Sequence, residues 1–216
     1  MIKVGLIIDE NNLPKQAIDL INRSKKSNNY EVSTIINQIN KDKRSFFKRL
    51  FNYLKKNGFL GFLARVMWIL ALKIDQLICL LIFKHESNLK LDGIDKDKYD
   101  ILDCQPDISN SGYLYNFNEV DINKIKNQNL DVLIRFGSGI LQGEILGLCK
   151  FGILSFHHGD NFVNRGGPPG FWEVYNKEDS SGFIIQQLTK ELDGGNVLLR
   201  GRITTSPIYS NNEFRY

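Results

Sequence analysis

Residues 131–157 read DVLIRFGSGILQGEILGLCKFGILSFH. Two short apolar runs rich in β-formers, Asp131 to Phe136 and Phe151 to His157, are bounded by glycine and polar residues, the pattern of strands buried on both faces. The first runs into Gly137-Ser138-Gly139, and Leu141 to Cys149 between them predicts a helix. The same alternation extends outward. Ile2 to Ile8 predicts a strand, and Pro14 suits the start of a helix continuing to about Lys26. Further strands are predicted at Glu31 to Ile36 and Tyr99 to Cys104, the latter closed by Pro106, with a polar helix at Asn118 to Asn127. Gly182 to Leu188 and Gly195 to Arg202 give two more strands around a Leu192-Asp193-Gly194-Gly195 turn. This order predicts an α/β fold with a mixed, mostly parallel sheet and helices on both faces. At 216 residues one domain is expected, interrupted by a helical insertion at about 41–86.

The composition, 42% hydrophobic and 24% charged, excludes wholesale disorder and a multi-span membrane protein. Cys79, Cys104 and Cys149 form no CxxC pair and have no histidine at metal-ligand spacing, so no metal site or disulfide framework is expected and all three read as buried thiols. The N-terminus turns polar after about eight residues, too soon for a secretory signal, which points to the cytoplasm.

The net charge of +4 hides a local excess: Lys41 to Lys56 holds seven basic residues against one acidic. Within it Phe46, Phe47, Leu50, Phe51 and Leu54 recur at three- and four-residue spacing, the mark of an amphipathic helix. Such a helix can pack by its apolar face on the domain, meet a phosphate-bearing substrate, or lie on the inner face of a membrane through residues 44–83. From Phe59 to Phe83 the chain is strongly apolar, but Arg65, Lys73 and Asp75 divide it into runs shorter than a bilayer span. It reads as one or two helices buried against the core, or dipping into a membrane interface.

Functional groups of open α/β sheets gather at the carboxyl ends of strands. Phe151 to His157 runs straight into HHGDNFVNRGGPPGFWEV, and side-chain alternation puts Ser155 and His157 on one face. A serine hydrolase lacks support because no G-x-S-x-G elbow is present. A metal site from His157, His158 and Asp160 is disfavoured because adjacent strand residues point oppositely.

Three stretches in order, DVLIRFGSGILQGEIL, GILSFHHGDNFVNRGGPPGFWEV and SGFIIQQLTKELDGGNVL, resemble the catalytic domain of the folate-dependent formyltransferases. That family includes methionyl-tRNA formyltransferase, glycinamide ribonucleotide formyltransferase and the sugar N-formyltransferases. His157, Arg165-Gly166 and Leu192-Asp193-Gly194-Gly195 match its ordered motifs. The resemblance implies a Rossmann-like domain that moves a formyl group from 10-formyltetrahydrofolate to a primary amine. It implies that His157 accepts and donates the proton, with Asp193 orienting it, and that the family's oxyanion-binding Asn falls on Ser155. Phe136, Gly137, Ile140 and Leu141 would then hold the folate, and His158, Asp160, Asn161 and Arg165 would meet the acceptor. The expected acceptor is a small-molecule amine such as an amino sugar. A nucleic-acid substrate is not expected, because nothing follows the sheet that would match a tRNA-binding domain. The same scaffold could alternatively bind folate or a partner without turnover, or hydrolyse formyltetrahydrofolate. NNEFRY ends abruptly, as a truncated polypeptide would.

Overall fold

The structure, a computed structural model, describes residues 1–39, 46–83, 89–109, 112–159, 170–191, 194–209 and 211. Its elements follow the order β1 (Ile2–Asp9), β2 (Asn12–Leu13), α1 (Lys15–Ser24), β3 (Tyr30–Gln38), α2 (Phe46–Phe83), β4 (Leu89–Lys90) and β5 (Asp100–Cys104). The chain continues through β6 (Asp107–Ile108), β7 (Leu114–Asn116), α3 (Glu119–Lys126), β8 (Val132–Arg135), β9 (Ile140–Gln142) and β10 (Ile153–His158). It ends with α4 (Phe171–Tyr175), β11 (Ser180–Gln187) and β12 (Asn196–Thr204).

The main sheet runs β12-β11-β10-β8-β1-β3-β5, with β2 and β4 continuing from the end of β1. From β10 to β5 neighbouring strands are parallel. The bonds Leu188 N to Ile153 O and Gly159 N to Gly182 O make β11 antiparallel to β10. A second sheet joins β6, β7 and β9. The mixed, mostly parallel α/β sheet expected from the sequence is what forms.

The chain packs as two compact units, one of residues 1–41, 87–157 and 184–200 and the other of 42–86, 158–183 and 201–216. In the first, one sheet face carries Ile7, Ile36, Leu133 and Ile153 against Ile122 and Ile125 of α3. The other face carries Val4, Leu6, Ile8, Val32 and Ile35 against Ala17 and Ile21 of α1. Helices thus cover both faces, because alternate strand residues are apolar on each side. In the second unit Phe171 gathers an aromatic cluster, its ring centroid 4.9 Å from Trp68 and 5.8 Å from Tyr209.

Two local expectations are corrected. Leu141 to Cys149 is a short strand followed by a 3-10 turn at Glu144–Gly147. Gly143 sits at φ 82 with no room for a Cβ beside Asn116, which breaks the helical path. Residues 59–83 are only partly buried: they form the second of two helical segments of α2, separated by non-helical Gly58 at φ 70, and apart from buried Cys79 they carry many exposed apolar side chains. All three cysteines are free and buried, as read from their spacing.

Candidate functional site

Strand register brings the candidate residues to one edge and one face of the first unit. Ser155 is in register with Arg135, Arg135 with Ile7, and Ile7 with Ile36. Residues in register on parallel strands face the same way. Two positions further on stand His157 and, paired with one another, Asp9 and Gln38. His157, Asp9 and Gln38 therefore emerge on the same side at the carboxyl ends of β10, β1 and β3. Two strand spacings, about 10 Å, separate the lines of β10 and β1.

The turn after β8 fills the edge between them. Asp9 accepts from Gln38 Nε2 at 2.8 Å through one oxygen and from the Ser138 backbone N–H at 2.6 Å through the other. Any Cβ on Gly137 would run into the Gln38 amide and the Asp9 carboxylate, so only glycine lets the turn approach that pair. Arg135 donates through one guanidinium nitrogen to the carbonyls of Ser138 and Gly139, the first at 2.6 Å. Burial pushes the Arg135 guanidinium below its usual pKa, and the nearby Asp9 carboxylate opposes that shift.

Beside these groups lies a cavity of about 220 Å³ lined by Asp9, Glu10, Asn12, Gln38, Pro106, Tyr115 and Ser138. Its wall includes a polar atom awaiting a partner: Gln38 is 2% exposed and its Oε1 accepts no hydrogen bond among the described residues. Arg135 Nε is in the same state. Buried polar groups without partners cost about 1–3 kcal/mol each, so Gln38 Oε1 in the recess suits a ligand or water that offers a donor, whereas Arg135 Nε–H calls for an acceptor. The turn at its mouth is held in an uncommon conformation, with Glu10 and Asn11 at φ 45 and 62. Buried Asn37 clamps it, its Oδ1 accepting from Asn11 N at 2.9 Å and its Nδ2 donating to Asn11 Oδ1 at 2.8 Å and Asp103 Oδ1 at 2.7 Å.

The residues picked out in the sequence fall into three groups. His157 and Ser155 are half-buried on the shared face, and the Ser155 hydroxyl donates to the Phe156 carbonyl at 3.3 Å. His158, also half-buried, ends β10. Of the four folate candidates, Gly137 and Ile140 lie in the turn and at the start of β9. Of the other two, Leu141 is 4% exposed within the core, and half-buried Phe136 packs on the sheet face opposite His157. Asp160, Asn161, Arg165 and Asp193 lie outside the described residues. Among the described residues, no three His, Cys, Asp or Glu side chains gather to hold a metal ion.

Asp9, Gln38 and Arg135 were passed over in the sequence reading. Arg135 announces itself as a lone charge inside an apolar strand, a position that burial makes costly unless the group is bonded. Asp9 is the polar residue that ends the first strand, where open α/β sheets place their chemistry.

No family model matches the chain. A stretch of 83 residues is 32% identical to methionyl-tRNA formyltransferase of Clostridioides difficile (strain 630), covering 38% of this chain and 27% of that protein. Among solved structures, glycinamide ribonucleotide transformylase 1 from Geobacillus kaustophilus aligns over 99% of this chain and 89% of its own, with a TM-score of 0.55 and 12% identity. The corresponding protein from Symbiobacterium toebii aligns over 100% and 83%, with a TM-score of 0.53 and 13% identity. A formyltetrahydrofolate deformylase from Pseudomonas syringae pv. tomato str. DC3000 gives 0.53 at 12% identity, and this chain spans 55% of its length. At these identities the structural likeness is one of architecture. The mixed, mostly parallel sheet agrees with it: this chain has the fold of the folate-dependent formyltransferases.

Proposed function

We propose that the protein transfers a formyl group from 10-formyltetrahydrofolate to the primary amine of a small molecule, an amino sugar. The observation that carries this reading is the alignment of His157 with the Asp9–Gln38 recess along one face and one edge of the sheet. A proton-transfer group and a polar cavity are thus presented to the same side.

In the proposed reaction the acceptor nitrogen attacks the formyl carbon and gives a tetrahedral intermediate. The nitrogen loses its proton to the His157 imidazole, a group able to accept a proton and return it. The carbon–N10 bond then breaks, the proton passes to N10, and the products are the formamide and tetrahydrofolate. By resemblance, Asp193 stabilises the imidazolium and Ser155 supplies a donor to the oxyanion, which requires its hydroxyl to leave the Phe156 carbonyl. Gly137 and Ile140 would meet the donor, while His158, Asp160, Asn161 and Arg165 would meet the acceptor. Asp9 and Gln38 would accept hydrogen bonds from acceptor hydroxyls.

The test is incubation of the purified chain with 10-formyltetrahydrofolate and a panel of amino sugars, followed by mass analysis for formylated product. Product on at least one amino sugar is expected. Formate released without any acceptor would replace the reading with hydrolysis, and folate bound without turnover would replace it with a binding role. No product, no formate and no folate binding would remove the reading.

A further inference from the structure

Helix α2 offers an apolar face that no described residue covers. Leu63, Met67, Leu70, Ile74, Leu77 and Leu81 recur at three- and four-residue intervals and are all exposed, Met67 and Ile74 to 59% and Leu81 to 71%. At 100° per residue they form one stripe. The opposite side of the same helix faces its own unit: Cys79 is fully buried, and Trp68 packs edge-on against Phe171. A stripe of this length on a soluble surface marks an interaction site.

The charges of the helix select the occupant. The chain from Lys41 to Lys56 carries seven basic residues against one acidic, and Lys55 and Lys56 stand exposed in the turn before the Gly58 bend. Within Phe46–Phe83 the sole acidic residue is Asp75. A second copy laid helix to helix along the stripe would bring a single carboxylate, Asp75, to meet those cations. An anionic lipid surface suits both features: apolar side chains enter the acyl boundary while adjacent basic residues meet the headgroups. No described helix is long and apolar enough to cross a membrane, so the helix would lie in the interface.

We propose that α2 docks the protein on an anionic membrane surface, with the Leu63–Leu81 stripe inserted and the basic residues around Lys55 and Lys56 on the headgroups. The proposal is independent of the chemistry at His157.

Vesicle co-sedimentation of the full chain tests it, comparing phosphatidylcholine alone with phosphatidylcholine mixed with phosphatidylglycerol. The protein should sediment with the mixed vesicles and much less with the neutral ones, and release as salt rises. Replacing both Lys55 and Lys56 by Gln should weaken binding about 30-fold, and Met67→Gln with Ile74→Gln should abolish it. These side chains are exposed, and an unchanged melting transition confirms that the variants fold. Equal binding to both vesicles, or none to either, would overturn the proposal. A dimer that fails to bind vesicles and dissociates in the Met67→Gln/Ile74→Gln variant would assign the stripe to a second copy instead.

Discussion

Asp9 and Gln38 are joined by a 2.8 Å hydrogen bond across β1 and β3, and the backbone of Gly137 lies against that bond. Three strand ends are thereby tied together at the edge where His157 emerges. Gly137→Ala should break the arrangement, because the added methyl meets the amide and carboxylate and has no space to occupy. A loss of about 1–3 kcal/mol is expected, read as a lower denaturation midpoint. Gly147→Ala, at a glycine with nothing near its Cβ position, serves as the control and should leave the midpoint nearly unchanged.

Arg135 holds the turn after β8 by two hydrogen bonds from one guanidinium nitrogen to Ser138 O and Gly139 O. A lysine has donors enough for both but not the planar, weakly hydrated guanidinium that suits this half-buried position. Arg135→Lys should cost about 1.5–3 kcal/mol. It should also speed amide exchange at Ser138, whose N–H is held by Asp9.

The Asp121 carboxylate, 3% exposed, accepts from Gln105 N at 2.7 Å, Asn118 Nδ2 at 3.1 Å and Lys124 Nζ at 2.8 Å, while Asn118 caps α3 by accepting from Asp121 N. Asp121→Ala leaves the Gln105 N–H without its acceptor, while Asn118 Nδ2 keeps Gln105 O and the exposed Lys124 ammonium turns to water, and a loss of about 1–3 kcal/mol is expected in a denaturant titration. Asp121→Asn keeps acceptor capacity and should lose less.

Burial pushes the Cys104 thiol up to about 12 and the Cys149 thiol up to about 11, from an ordinary value of 9.0. Both should resist thiol reagents at pH 8 in the native state and react after denaturation. Because the unfolded thiols lose protons first, stability is fully present below about pH 9. It falls as pH rises from there through about 11 for Cys149 and about 12 for Cys104, by at most about 1.4 kcal/mol per pH unit for each thiol. Unfolding midpoints measured at pH 8, 9 and 10 check the sign, and Cys104→Ser should flatten the slope.

Much of the sheet was legible from short apolar runs. Ile2 to Ile8, Asp131 to Phe136 and Phe151 to His157 all form strands near those bounds, since a run apolar on both sides has few other places to go. Leu141 to Cys149 misled because its apolar spacing suits a helix while Gly143, forced to positive φ beside Asn116, does not. The apolar length of α2 suggested a buried helix, yet hydrophobicity alone does not say which face finds a partner. His157 and Ser155 were visible at the end of their strand. Asp9, Gln38 and Arg135 were not assembled, because their meeting depends on the register of three strands, β8 lying more than a hundred residues from β1.

The most direct test of the account compares single-turnover formyl transfer from 10-formyltetrahydrofolate to an amino sugar acceptor by the wild-type chain and by His157→Ala. Removal of the proton-transfer group should slow transfer about 10²–10⁴-fold while folate binding persists. Transfer at the wild-type rate in the variant would contradict the account.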